Sequence, residues 1–279
     1  MEHNTHSAPS TDSTYHTAVT TALYKANKST RQSFFQAVAA GMFIAIAFVF
    51  YITVTTGLAP TGSTRLLGGL VFSIGLILVV ICGVELFTSS TLLTLGCFNG
   101  SISTRQIMRN WLVVYSGNIL GALLIVALIM LAKQYMNAAG EWGANALKIA
   151  NHKIHHGFFE ALTLGILCNL LVCLGVWMTY ACRTVAEKIL VLILPVALFV
   201  SSGFEHSIAN LFMVPLGIGI QSLAGPEFWQ LVSLNAGDFE DLTVSTFIVA
   251  NLIPVTLGNI IGGVMVAAIF SLMQKKPTP

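Results

Sequence analysis

The chain has 279 residues, of which 55% are hydrophobic and 9% charged, with a formal net charge of +2. A soluble domain carries about 25% charged residues, so an ordinary soluble enzyme is excluded and an integral membrane protein is implied. The small net charge suggests no nucleic-acid partner.

Residues 1–32 are predicted to form an N-terminal segment outside the membrane, with 33–274 the membrane domain and 275–279 a short tail. The first thirty residues are rich in Ser, Thr and His and lack the apolar core and cleavage site of a signal peptide. The segment either gates the nearby mouth or docks a soluble partner, or it is a plain solvated tail. A membrane-crossing helix needs about 20 apolar residues. Single crossings are predicted at about 34–58, 111–132, 158–181 and 246–273. Two runs, 66–98 and 189–223, are too long for one straight helix and too short for two, and polar residues interrupt both. Each reads as a broken helix, which gives six crossings and an all-α integral membrane fold.

Lys25, Lys28, Arg31, Arg105, Arg109, Arg183, Lys188, Lys275 and Lys276 fall on one side, nine in all, against Arg65, Lys133, Lys148 and Lys153 on the other. The excess predicts that both termini are cytoplasmic. The five cysteines form no CxxC pair, so neither a zinc site nor a disulfide framework is expected. No cofactor or metal is predicted. His152 and His156 could share a helix face, but they lack a third ligand.

The halves, about 33–136 and 157–274, resemble each other. Phe34-Phe35-Gln36-Ala37 with Gly41 matches Phe158-Phe159-Glu160-Ala161 with Gly165. Gly83-Val84-Glu85 matches Gly203-Phe204-Glu205. Asn110, Gly117-Asn118 and Gly121 match Asn251, Gly258-Asn259 and Gly262 at identical spacing. Three crossings per half is an odd number, so the halves run in opposite directions, an inverted 3+3 repeat with its site between two broken helices. The GxxxG glycines themselves read as close helix packing.

The first break is placed at Glu85-Leu86-Phe87-Thr88-Ser89-Ser90, with a half-helix restarting near Thr88 or Ser89. The second is placed at Ser201-Ser202-Gly203, with a restart at about Phe204. Half-helix N-termini present free N–H groups that favour anions, and Thr88 and Ser202 add hydroxyls. Glu85 and Glu205 read as architectural, capping backbone N–H groups, and Asn210 and Asn259 support the breaks. His206 has Leu86 as its partner position. An ionisable side chain at membrane depth without a symmetric mate points to function.

With Gly83-Val84-Glu85-Leu86-Phe87-Thr88-Ser89-Ser90, Asn151-His152-Lys153-Ile154-His155-His156, Ser202 through Asn210, and Asn251 through Asn259 in view, the chain closely resembles the formate/nitrite transporter family, and within it the bacterial formate channels. The resemblance runs from about Tyr24 to about Phe270, and the first 20 residues look unlike the family. It implies an aquaporin-like protomer, a pentamer with one pore per chain, and an inner-membrane location. It implies a cytoplasmic constriction of Leu76, Leu86 and Phe87 and a periplasmic one of Phe72, Val172 and Phe199. His206 would lie between them with Thr88 and Asn169 in reach, and Lys153 would raise the positive potential of the vestibule. The implied solute is formate or a similar small monovalent anion, with nitrite or hydrosulfide as alternatives. An anion crossing an apolar ring pays a large desolvation cost. His206 is therefore expected to act as proton donor or gate, with passage either passive or proton-coupled. A neutral-solute pore and a membrane enzyme are the rival classes, and no catalytic nucleophile supports the second.

Overall fold

The structure, a computed structural model, describes residues 9–274. The first eight residues and the tail 275–279, with Lys275 and Lys276, lie outside the described residues. Among the described residues all regular structure is helical. Helix α1 (Thr11–Asn27) precedes the long α2 (Thr30–Thr55). The chain returns through α3 (Gly62–Phe72) and α4 (Ile74–Ile81), breaks, and continues in α5 (Phe87–Ser90), a 3₁₀ turn and α6 (Thr94–Phe98). Helix α7 (Thr104–Leu131) ends the first half, and α8 (Glu141–Ile154) leads into α9 (Phe158–Tyr180). Helix α10 (Val185–Ser201) breaks before α11 (Ser207–Leu223). Short α12 (Pro226–Val232) and α13 (Val244–Thr246) precede α14 (Ile253–Met273), which is entered through a π-helical turn over Phe247–Leu252.

Five helical stretches, 30–55, 62–81, 104–131, 158–180 and 236–273, are long and apolar enough to cross a membrane. The sixth crossing is divided between α10 and α11. Helix α12 turns away from α11 by 109° and carries Glu227 in its first turn, so it is not a continuation of that crossing.

Both breaks are built alike. Gly83 (φ +66°) and Gly203 (φ +73°) take the left-handed conformation that closes α4 and α10, which only glycine adopts without cost. The next N–H groups fold back, Val84 N to Val79 O at 3.1 Å and Phe204 N to Phe199 O at 3.0 Å. The breaks thus span Cys82–Leu86 and Ser202–His206. The first lies earlier than the sequence places it, and α11 starts three residues later than predicted. The reason is capping. Asn118 Oδ1 accepts from Phe87 N at 3.0 Å, and Asn259 Oδ1 accepts from Ser207 N at 2.9 Å. These two amides fix where each half-helix begins.

The same two asparagines set the register of the repeat. Asn118 Nδ2 donates to Ala37 O (2.7 Å) and Glu85 O (3.0 Å). Asn259 Nδ2 donates to Gly165 O (2.8 Å) and Glu205 O (3.0 Å). Ala37 is therefore the mate of Gly165, not of Ala161, and the Phe34/Phe158 match is one helical turn out of register. Ala37 and Gly41 on α2 and Ala161 and Gly165 on α9 are small residues at the same four-residue spacing, so a one-turn slip still matches small with small. In the corrected register Gly41 corresponds to Asn169. A Cβ on Gly41 would fall on the Asn118 carbonyl oxygen, and Asn169 Nδ2 donates to the equivalent carbonyl of Asn259 at 2.6 Å.

Candidate functional site

His206 caps α11. Its Nδ1 accepts the Ala209 N–H at 3.1 Å, and its Nε2 lies 3.0 Å from Thr88 Oγ1 on α5. An Nδ1 that accepts leaves the proton of a neutral imidazole on Nε2, so Nε2–H donates to Thr88. The Thr88 hydroxyl proton is then free for a third group. The relay runs Ala209 N–H to His206 to Thr88, each donor pointing the same way, and carries the field of the α11 N-terminus to one hydroxyl. Both side chains are buried, Thr88 at 0% and His206 at 4% exposure.

Asn169 closes the site from α9. Its Nδ2 donates to Thr88 O (3.2 Å), Thr91 Oγ1 (3.1 Å) and Asn259 O, while its buried Oδ1 finds no protein hydrogen bond; nor does Ser207 Oγ. The space that Thr91 and Asn169 occupy exists because residue 263 is glycine. A Cβ there would fall on Thr91 Oγ1 and 2.8 Å from Asn169 Nδ2. Gly263→Ala is expected to lower flux roughly 5- to 150-fold in reconstituted vesicles, the factor that an overpacking cost of about 1–3 kcal/mol at the site corresponds to. Gly175→Ala, whose Cβ would meet nothing nearer than 3.5 Å, is the control and leaves flux unchanged.

Apolar side chains surround this polar island. Phe72 and Phe199 meet edge to face at 6.1 Å, and Phe199 stacks beside the His206 ring at 6.0 Å. Both rings, with His206, Glu205 and Lys153, line a cavity of about 650 Å³ that opens on the α8 side. Leu76, Leu86, Phe87 and Val172 are buried and line no part of that cavity. Phe87 packs on Tyr115 at 4.8 Å.

The glutamates do not cap the breaks, as the sequence suggests; the asparagines do. Glu85 accepts from Lys28 Nζ (2.5 Å) and Lys25 Nζ (3.2 Å), and Ser90 Oγ stands at 3.5 Å. Glu205 accepts from Lys153 Nζ (2.8 Å), Asn210 Nδ2 (2.6 Å) and Asn251 Nδ2 (3.2 Å). Lys153 is thus an ion-paired, buried cation rather than a free charge of the vestibule. The cations in the cavity wall without a carboxylate partner among the described residues are Arg65 and Lys148. Ser202 is exposed at the end of α10. His152 and His156 do share a face, with rings 4.9 Å apart; no group of three metal-ligating side chains occurs among the described residues.

Sequence reasoning missed Asn118, Asn251, Lys25 of α1 and Lys28 just after it. The asparagines were visible in the repeat match but were given no role. The lysines fell in a segment read as lying outside the membrane, as a gate of the mouth, a docking segment or a solvated tail. Instead α1 is docked: Ala18, Ala22 and Ala26 are buried, Tyr15 meets Trp177 at 6.4 Å, and Arg109 donates to Ala26 O and Lys28 O at 3.1 and 2.8 Å.

Six crossings in an inverted repeat, with two broken helices meeting at a buried polar site, define a membrane channel or transporter of aquaporin-like plan. The sequence model of the formate/nitrite transporter family matches residues 12–273, so the likeness takes in nearly all of α1, beyond the reach expected from sequence. The chain is 55% identical over 243 residues to the formate channel FocA of Escherichia coli K12, covering 86% of this chain and 85% of that one. It is 52% identical over 255 residues to FocA of Haemophilus influenzae, covering 91% and 90%. A solved pentameric formate channel with formate bound superposes with a TM-score of 0.84 at 51% identity, covering 88% of this chain and 96% of the other. The chain belongs to the formate/nitrite transporter family.

Proposed function

We propose that this protein is a channel for formate and similar small monovalent anions, assembled as a pentamer with one pore per chain in the inner membrane of a bacterium, with both termini cytoplasmic. The observation that carries the reading is the Ala209–His206–Thr88 relay, a single polarised hydrogen-bond donor between apolar walls. The relatives' names and the nine-to-four cation bias support solute and orientation. Exposed Leu112, Leu128, Leu131 and Leu194 suit lipid or a neighbouring subunit.

Leu76, Leu86 and Phe87 form the constriction on the α1 side, and Phe72, Val172 and Phe199 the one on the α8 side. Between them Thr88 offers its hydroxyl proton to the anion, and Asn169 Oδ1 offers an acceptor suited to the O–H of the neutral acid. His206 is the gate and hydrogen-bond donor rather than the proton source. A proton on Nδ1 would face the Ala209 N–H at a positive helix end, so protonating the ring breaks the cap. Glu85, Glu205, Asn210 and Asn259 hold the breaks in place.

The test is uptake of radiolabelled formate, acetate, nitrite and hydrosulfide into proteoliposomes at two pH values. Saturable formate flux without chemical conversion is expected. Passage of water or glycerol without formate would leave a neutral-solute pore as the better description.

A further inference from the structure

In the corrected register, 128 positions separate mates in α2 and α9, since Ala37 pairs with Gly165. Carrying that offset towards the N-terminus takes Lys25 to Lys153 and Lys28 to His156. The contacts agree. Lys25 and Lys28 both reach Glu85, at 3.2 and 2.5 Å. Lys153 reaches Glu205 at 2.8 Å, and His156 Nε2 lies 3.9 Å from the same Glu205 Oε1. The repeat therefore includes α1 and α8, and each break glutamate is held by a pair of cationic positions. One pair is two lysines. The other is a lysine and a histidine.

We propose that His156 is a positioning residue for Glu205 whose protonation adds one positive charge to the α8-side mouth, so that anion entry from that side rises with acidity while entry from the α1 side does not. This rests on the anion-channel reading above. The charge arithmetic is local. Glu85 is held by two lysines, one cation more than its single carboxylate. Glu205, Lys153 and Glu160 together sum to −1, and a proton on His156, 3.0 Å from Glu160, brings that side to zero. A protonated His156 would also hold Glu205, one residue from the His206 cap, between two cations as Glu85 is held.

The groups facing His156 come from five elements. Glu160, in the first turn of α9, lies 3.0 Å from Nδ1 with a side chain 58% exposed, whereas the His156 side chain is 10% exposed. Lys153 and His152 share α8. Burial first, then His156 and Lys153, lower the pKa of His152. Glu205 comes from the break, and Asn251, which bonds Glu205, from the entry to α14. Arg65 of α3 stands across the cavity. His155 points elsewhere: it donates to Asn151 O and Asp241 Oδ2, both at 2.7 Å.

The experiment measures initial formate entry into vesicles of known orientation, from each face, over a pH series from acidic to mildly alkaline. Wild-type entry from the α8 face should rise on acidification by roughly 2- to 30-fold, the range for one unit charge at about 8 Å between water-like and protein-surface permittivity. His156→Lys should fix entry at the acid level at all pH values. His156→Gln should fix it at the alkaline level. Lys28→His should transfer the pH dependence to the α1 face, and it keeps the test open should His156→Lys fail to assemble. A wild-type pH profile retained in both His156 variants overturns the proposal. Absence of formate entry in the wild type at every pH would instead overturn the channel reading.

Discussion

Replacing His206 with Asn is expected to leave the protein assembled while cutting formate flux roughly ten- to a hundred-fold. The two functions of the imidazole separate in this variant. Asn is among the best N-cap residues, so its oxygen can take over the Ala209 N–H that Nδ1 now accepts at 3.1 Å. Its shorter side chain falls short of Thr88, which Nε2 now reaches at 3.0 Å. The relay is cut, and Thr88 loses the donor that orients its own proton. A hydrogen bond to a charged partner contributes about 1.5–3 kcal/mol, which sets the expected loss. Thr88→Val, which keeps the shape and removes the hydroxyl, should lose a similar factor. The double variant should lose little more, because the two residues act through one donor. The pH profile of the residual flux should keep its midpoint, since the ring is neutral in the capped state. A profile that flattens in His206→Asn would show that the ring carries a proton during passage and that the cap opens in each cycle. Flux unchanged in His206→Asn would remove the residue from the pore chemistry altogether.

The crossings and the breaks were legible in the sequence because the bilayer constrains them so tightly. Unbroken apolar length gives a crossing, and a polar interruption at membrane depth marks irregular backbone shielded by protein. His206 was legible for the same reason, as an ionisable side chain whose mate is Leu86. What could not be read was the partner of each polar group. Asn118 and Asn259 stood out as repeated residues, but a sequence does not say that an amide on the third helix of each half reaches back to cap the second. The glutamates took that role by default, because a carboxylate beside a break is the obvious acceptor. Their real partners lie 57 residues away for Lys28, in the link between α1 and α2, and 52 for Lys153, on α8. The slip of one turn in the first repeat match has the same origin. Pattern alone cannot distinguish Ala37–Ala161 from Ala37–Gly165 when both helices carry small residues at the same four-residue spacing, and only the hydrogen bonds of the two asparagines decide it.

Lys153→Met is expected to destabilise the protein by about 3–5 kcal/mol, the cost of leaving one member of a buried ion pair uncompensated, and not merely to slow anion entry. Glu205 is 3% exposed and holds Lys153 at 2.8 Å. With the ammonium gone, the carboxylate keeps only the amides of Asn210 and Asn251 and the more distant His156. It must then stay charged at high cost or take up a proton, and either outcome disturbs the residue before the His206 cap. The expected signature is a lower unfolding temperature of the detergent-solubilised oligomer, with flux lost at all ionic strengths. Adding Glu205→Gln to Lys153→Met should recover much of the stability, because the second change removes the orphaned charge. The same logic applies to Glu85, with a smaller expected effect for either lysine alone, since Lys25 and Lys28 share it. A freely solvated Lys153 would behave differently. Its removal would leave the unfolding temperature unchanged and reduce entry only at low salt, where its field is unscreened. That result would show that the ion pair contributes nothing to the fold and that the lysine serves the vestibule after all.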